Sequence, residues 1–375
     1  MKKISRLYIL ISLIPSICLS QIEYTDDYYL SNLNSYSSIN SDFNILTFNK
    51  NYWFDNQIQF RYNAKIFFGN HFKSVIGIRN RFIRGFQWEK NLFNFRNQNI
   101  NLPNTISSSK EKFALLNQID RIYFEFDKNN LNISMGKQRI NWGIQNFWNS
   151  HDLFNQLNIF DFDYIERPGN DAIRIQYYLN NFNSFEYVIN EKIKAFLLKL
   201  NYFKYDYQFL YADNTDDDIF GLGWSGQIFK LGFKGEFSFF KTKLSTENNL
   251  LVGSVFLDYI FKNNLYLNLG CLYNSGYSEL NSFNLFNLNV SAKSPMPFKY
   301  NFSYQINKSV SDLTQIGFFI IHDHKLNFIF LSPQLTYSIS NKIDLMIISQ
   351  NIWLKVFDKS ENITKSVFTR IQYNF

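Results

Sequence analysis

The chain lacks three features that would point to common protein classes. No uninterrupted apolar run approaches the roughly 18 residues of a membrane-spanning helix, and Cys18 and Cys271 are its 2 cysteines. Net charge is also small, with 38 basic and 31 acidic residues. Helical membrane spans are therefore excluded, and the weak positive charge does not indicate nucleic-acid binding.

The amino terminus has the pattern of a secretory signal. Lys2, Lys3 and Arg6 precede an apolar run over residues 7–17, and small residues follow at 18–20. This predicts a signal peptide over residues 1–20 with Gln21 as the first mature residue. The alternative, a lipoprotein signal acylated at Cys18, is disfavoured because Ile17 occupies a position where a small residue is expected. Cleavage removes Cys18, so an internal disulfide is excluded.

Aromatic residues are abundant and follow an alternating pattern. Phe and Tyr number 42 and 24, yet the mean hydropathy is −0.24. Over residues 57–68 apolar and polar side chains alternate for twelve positions, and similar runs recur along the chain. Segments of about ten alternating residues are typical of transmembrane β-barrels, and a closed barrel leaves no unpaired edge in lipid. The predicted fold class is an all-β, antiparallel transmembrane β-barrel.

We predict about eighteen strands, with sixteen as the alternative. The first is placed at residues 42–50 and the last at 365–375, so the predicted barrel spans 42–375 and residues 21–41 form a periplasmic tail. Short links then fall at one end and long links at the other, as barrels show. The predicted long, extracellular links are 85–118, 142–170, 241–249, 275–297 and 354–364.

The carboxyl end resembles the terminal strand of outer-membrane barrels. Tyr373 and Phe375 close an alternating run. The resemblance implies an assembly signal recognised by the barrel assembly machinery, and a last strand that ends on the periplasmic side.

The polar parity of the strands predicts a basic lumen wall. Rings of Arg and Lys select anions in pores. The alternative is that most of these charges pair across strands and only stabilise a solvated lumen. The residues assigned to the basic wall are Arg61, Lys65, Arg79, Arg81, Arg121 and Arg174.

A long loop interrupts the pattern between Gly136 and Tyr178. Gly136-Lys137-Gln138, Trp142-Gly143, Arg167-Pro168-Gly169 and Asp171 resemble porin-like barrels of Gram-negative outer membranes, similar to the alginate-export type and to a related barrel family of unknown function. Those relatives carry Asn-Pro-x-Asp where this chain has Asn149-Ser150-His151-Asp152. We expect the loop to cap or enter the lumen, with its carboxylates facing the basic wall. The predicted constriction-loop residues are Trp142, Trp148, Asp152, Asp161, Asp163, Glu166 and Arg167.

These features predict a non-enzymatic, porin-like channel in the outer membrane for passive passage of small solutes, anionic or saccharide-like. One alternative is a structural or adhesive surface barrel with a loop-blocked lumen. Another is a surface protease that uses His151-Asp152 or His322-Asp323-His324. No cofactor, metal site or nucleic-acid partner is predicted; the expected partners are outer-membrane lipid, lipopolysaccharide, the barrel assembly machinery, small-molecule solutes and further copies in a homotrimer.

Overall fold

The computed structural model describes residues 30–44, 49–85, 105–108, 113–155, 169–245, 247–277, 290–356 and 359–373. Its regular structure over these ranges is β-strand, and no helix in them is long and apolar enough to cross a membrane. The strands are β1 (Leu30–Asn44), β2 (Asn49–Phe68), β3 (Phe72–Gly85), β4 (Thr105–Ser108), β5 (Phe113–Lys128), β6 (Leu131–Gln138), β7 (Asn170–Tyr178), β8 (Ser184–Ile189), β9 (Ile193–Tyr202), β10 (Tyr205–Asn214), β11 (Asp217–Ile228), β12 (Leu231–Thr242), β13 (Leu250–Ile260), β14 (Leu265–Asn274), β15 (Tyr300–Ser311), β16 (Thr314–Asp323), β17 (Phe328–Ser340), β18 (Ile343–Val356) and β19 (Lys359–Tyr373).

The strands form a closed antiparallel ring. Consecutive strands pair with each other, and β1 pairs with β2 on one side and β19 on the other. The short β4 lies outside this sequence: it pairs with Phe113–Leu116 of β5, beyond the part of β5 that pairs with β6. Eighteen of the described strands therefore make the ring, and the predicted all-β antiparallel barrel is confirmed.

The amino-terminal part of the prediction is wrong. Residues 30–41, expected in a periplasmic tail, belong to β1, and the predicted first strand at 42–50 spans the link between β1 and β2. The reason lies in composition. β1 reads LSNLNSYSSINSDFN, which lacks the regular apolar alternation that marks the other strands. The expected signal peptide, residues 1–20, lies outside the described residues.

Short and long links separate as predicted, except that the predicted long link 354–364 is wrong. There β18 continues to Val356 and β19 begins at Lys359, and the two strands pair up to these residues. Residues 129–130, 203–204, 229–230 and 341–342 make tight turns at one end, which we call the turn end. The strand ends that flank two of the long links, Gln138 and Asn170 for one and Asn274 and Tyr300 for the other, lie at the other end, the loop end.

Successive side chains face opposite sides of the wall. Ile58 and Phe124 on the outer face are 46% and 65% exposed, whereas Gln59 and Arg79 on the lumen side are 5% and 2% exposed. Apolar-out and polar-in alternation is what a lipid-embedded barrel requires.

Candidate functional site: an inserted loop and an arginine cavity

The described part of the long loop, residues 139–155, lies inside the barrel. Ile140, Trp142, Trp148 and His151 are all 2% exposed or less. Two bulky indoles and a histidine reach that burial only when the surrounding wall covers them. The loop therefore fills part of the lumen rather than standing above the mouth.

Side chains of the loop hold its own backbone. Asp152 Oδ1 accepts from the backbone N–H groups of Trp142 and Gly143, both at 2.9 Å. The amide of Asn149 closes a second turn with Gln145, accepting from its N–H at 2.8 Å and donating to its carbonyl at 3.0 Å. These bonds satisfy backbone groups that an irregular segment would otherwise leave buried and unpaired.

The wall strand β12 anchors the loop through Glu236. This carboxylate is fully buried and accepts from the backbone N–H of Ile144 and, at 3.1 Å, from that of His151. Nearby, Ser238 donates to the hydroxyl of Ser150 at 2.9 Å. A carboxylate buried at this depth requires such donors, because desolvating it alone is costly.

Two glycines on β11 make room for the loop. A Cβ added to Gly221 would lie 2.7 Å from His151 Nε2, and one added to Gly223 would lie 2.6 Å from Ile144 Cδ1. Both positions face the lumen, where a side chain would occupy the space of the loop. The Gly221 and Gly223 pair was not among the predicted site residues, although glycine at alternate positions of a strand is a readable signal of close approach.

Aromatic rings complete the packing. The Phe147 ring lies 5.0 Å from Phe256 on β13 and 4.8 Å from Phe319 on β16, each with the edge of one ring toward the face of the other. Such pairs contribute beyond their buried area. The loop thus contacts the arc of wall from β8 to β16.

The predicted basic wall lies on a different arc and carries a carboxylate that the sequence prediction missed. Asp120 Oδ2 lies 2.7 Å from Arg61 Nη2, and Asp120 Oδ1 lies 3.0 Å from Arg79 Nη2. Arg81 contacts the Gln118 side-chain carbonyl at 3.4 Å. Asp120 therefore pairs with two arginines of the predicted basic wall.

A β-bulge explains the missed residue. Gly77 pairs with Arg121 and Ile78 with Ile119, so one residue of β5, Asp120, is extra in the register. A bulge lets two successive residues share one face. Strict alternation, which put Arg121 inward, wrongly put Asp120 outward.

Three arginines line a cavity of about 300 Å³ in the lumen. Arg121 and Tyr123 come from β5, Arg174 from β7, and Arg139 and Asn141 from the start of the loop. The described lining holds three guanidinium groups and no carboxylate. Arg139 and Asn141 were not predicted, because strand parity says nothing about a loop that turns inward, and Tyr123 was not among the predicted site residues.

Glu186 on β8 binds both Arg174, which lines this cavity, and Trp142 of the inserted loop. It accepts from Arg174 at 2.6 and 2.9 Å and from the Trp142 indole N–H at 2.5 Å. The paired oxygens fix the guanidinium plane, as in other bidentate arginine-carboxylate pairs. The position of Arg174 is thereby coupled to that of the loop.

The remaining predicted residues have mixed outcomes. Asp152 accepts hydrogen bonds from the loop's own backbone, and its placement opposite the basic wall stays a prediction. His151 lies between Gln208 and the carbonyl of Phe237, 3.3 Å from each. Lys65 is exposed on the lumen parity of β2, and Tyr373 ends β19. Asp161, Asp163, Glu166, Arg167 and Phe375 lie outside the described residues.

At the loop end, lysines pair with the acidic run that starts at Asp213. Lys243 binds Asp213 and lies 3.4 Å from Asp218, and Lys293 lies 2.9 Å from Asp217. The hydrogen bond to Asp213 raises the pKa of Lys243 above its usual value. Among the described residues, no group of three or more His, Cys, Asp or Glu could hold a metal ion.

Comparison with solved structures identifies the fold. Pseudomonas aeruginosa OccK7 (OpdD) superposes with a TM-score of 0.57 at 8% identity, covering 93% of this chain and 99% of that one. Acinetobacter baumannii OccAB1 gives 0.56 at 8% identity over 94% and 97% of the two chains, and OccAB4 of the same organism gives 0.55 at 9% over 94% and 100%. The chain matches no described protein family, and no curated protein is detectably similar to it in sequence. The chain thus has the fold of these solved β-barrels.

Proposed function

We propose that this barrel is a passive outer-membrane channel for small solutes that carry negative charge, including acidic saccharides. The cavity between the inserted loop and the basic wall is the observation that supports the proposal. It brings Arg121, Arg139 and Arg174 to one space in the lumen. Low-dielectric walls focus the potential of such groups and raise the local concentration of anions.

The other two lining residues suit a hydroxylated solute. The Tyr123 hydroxyl can donate and accept hydrogen bonds, and the Asn141 side chain, whose nitrogen donates to Asp152, can accept through its oxygen. Beside the guanidinium groups they would bind the hydroxyls of a solute whose acidic group lies against the arginines. This mixed lining supports saccharide acids alongside simple anions.

The experiment is planar-bilayer recording on the refolded protein in a salt gradient. We expect ion-conducting channels whose reversal potential indicates anion preference, and a shift toward cations in Arg121→Gln/Arg139→Gln. The matched control, Lys192→Gln/Lys241→Gln, removes the same charge from exposed residues near the loop end and should keep the wild-type potential. Equal potentials in wild type and the arginine variant would contradict the proposed site.

One observation favours a second function. The inserted loop is buried against much of the wall, which is also what a structural or adhesive barrel with a blocked lumen requires. Refolded protein that inserts into bilayers yet conducts no ions would select this alternative. Contacts with lipopolysaccharide, recognition by the barrel assembly machinery and a homotrimer remain proposals.

A further inference from the structure

Three neighbouring turns at the turn end repeat one dipeptide. Phe203-Lys204 joins β9 to β10, Phe229-Lys230 joins β11 to β12, and Phe261-Lys262 begins the link from β13 to β14. Because consecutive strands are neighbours in the ring, these turns occupy one continuous arc of the rim. We call the six residues the Phe-Lys arc.

The aromatic members of the arc are open to the surroundings. Phe203, Phe229 and Phe261 are 78%, 97% and 41% exposed, and neighbouring Tyr202 is 63% exposed. A phenylalanine exposed to this extent is unfavourable in water. Tyr202 lies on the lipid-facing side of β9, opposite in parity to the buried Ala195 and Leu197, so the arc continues the apolar outer face of the barrel.

Two of these turns have backbone angles that disfavour Phe and Lys. Phe203 and Lys204 have φ angles of 48° and 64°, and Phe229 has a φ of 56°. Two-residue hairpin turns with positive φ favour Asn-Gly, since bulkier side chains meet steric resistance there. Phe203, Lys204 and Phe229 therefore occupy positions where the turn geometry favours other residue types. This indicates that their side chains have a role beyond forming the turn.

The charges of the arc are of one sign. Lys204, Lys230 and Lys262 are exposed, and none forms an ion pair with a described residue. At the loop end, Lys243 and Lys293 are paired with carboxylates. Neighbouring hairpins are two strands apart, so successive lysines lie about 10 Å from each other along the rim.

We propose that the Phe-Lys arc binds anionic phospholipid headgroups of the leaflet at the turn end. The phenyl rings enter the boundary between acyl chains and headgroups, and each ammonium group lies beside a headgroup phosphate. Aromatic girdles mark the edges of the lipid band on barrels, and lysines near an anionic leaflet are attracted to it. The proposal depends on the barrel fold and does not require that the lumen conducts.

The test is native mass spectrometry of the detergent-purified barrel with phosphatidylglycerol and phosphatidylcholine in competition. We expect the wild type to retain phosphatidylglycerol preferentially. Lys204→Gln/Lys230→Gln/Lys262→Gln should lower that preference by about fivefold for each lysine, whereas replacement of all three by Arg should preserve it. The control Lys192→Gln/Lys194→Gln/Lys241→Gln makes the same charge change near the loop end of the same strands.

Heat-modifiable migration in gels checks that each variant is a folded barrel. No preference in the folded wild type, or an equal loss in the control, would overturn the proposal. A photo-reactive residue at position 229 supplies a second readout in cells. Cross-linked phospholipid supports the assignment, and a cross-linked protein in its place would assign the arc to a protein partner instead.

Discussion

The carboxylate of Glu186 contacts the loop and the arginine cavity at the same time. It is 3% exposed and binds both Trp142 and Arg174. A buried carboxylate with a bidentate arginine leaves a small net charge at that point, so Glu186 lowers the positive potential that Arg174 adds to the cavity. Glu186 thereby affects both the net charge beside the arginine cavity and the position of the loop.

Replacing this carboxylate by its neutral isostere tests the coupling. In Glu186→Gln the Arg174 charge is no longer offset, so we expect reversal potentials to shift further toward anions. Loss of charge-assisted hydrogen bonds should also destabilise the barrel by roughly 1–3 kcal/mol, measured as a lower denaturation midpoint. Asp258→Asn is the matched control, since Asp258 pairs with Lys234 at 3.1 Å nearer the turn end. Identical selectivity shifts in the two variants would show that Glu186 has no particular effect on the cavity.

At the scale of elements, the loop packs against β11 because two lumen-facing positions of that strand have no side chain. Gly221 and Gly223 leave the volume that His151 and Ile144 occupy. Packed interiors tolerate little extra volume. The position of the loop is therefore encoded in the strand as much as in the loop itself.

Filling this space should displace the loop. In Gly221→Val the new Cβ would lie 2.7 Å from His151 Nε2 and 3.0 Å from Leu210 Cβ. Overpacking of this kind costs roughly 1–3 kcal/mol, so we expect a larger single-channel conductance as the loop leaves the lumen. Adding His151→Ala should return conductance toward the wild-type value by relieving the contact.

A control for the same substitution lies on the outer face. A Cβ at Gly253 would meet the ring of Phe237, 2.3 Å away, on the lipid-facing side. Gly253→Val should therefore leave conductance unchanged. An increase equal to that of Gly221→Val would mean that the effect comes from general loosening of the wall.

The sequence predicts an element well when the pattern that marks it lies within the element itself. The alternating run 57–68 was predicted and lies in β2. Pro333 falls where the β17–β18 pairing is interrupted between Leu331 and Gln334. The bulge at Asp120 changes the parity of β5, and no Gly or Pro of β5 marks it. The contacts of the loop with Glu186 and Glu236 join residues about 40 and 90 positions apart, and no local pattern carries that information.

On the scale of the whole molecule, closure depends on the strand that the sequence predicts least well. Without β1, the edges of β2 and β19 would be left unpaired, and unpaired backbone groups are costly in lipid. Ser- and Asn-rich β1 supplies the missing backbone partners, to β19 over residues 33–42 and to β2 from Leu30 to Asn44 with one irregularity. The barrel is therefore closed by backbone hydrogen bonds of β1, whose sequence has no regular apolar alternation.

Cysteine cross-linking between the first and last strands tests this closure. The register places Ser37 opposite Thr369 and Ser38 opposite Phe368. Directly opposed positions alternate between closer and wider spacing, so we expect at least one of the pairs Ser37→Cys/Thr369→Cys and Ser38→Cys/Phe368→Cys to form a disulfide. The measurement uses a Cys271→Ser background, oxidation of the folded barrel, and gel migration before and after reduction. Ser37→Cys/Tyr373→Cys is the control: four residues of offset separate these positions by about 13 Å, beyond disulfide reach. If neither opposed pair cross-links, or the offset pair does so equally well, residues 30–41 would be the tail that the sequence suggests, and the barrel would have to close without them.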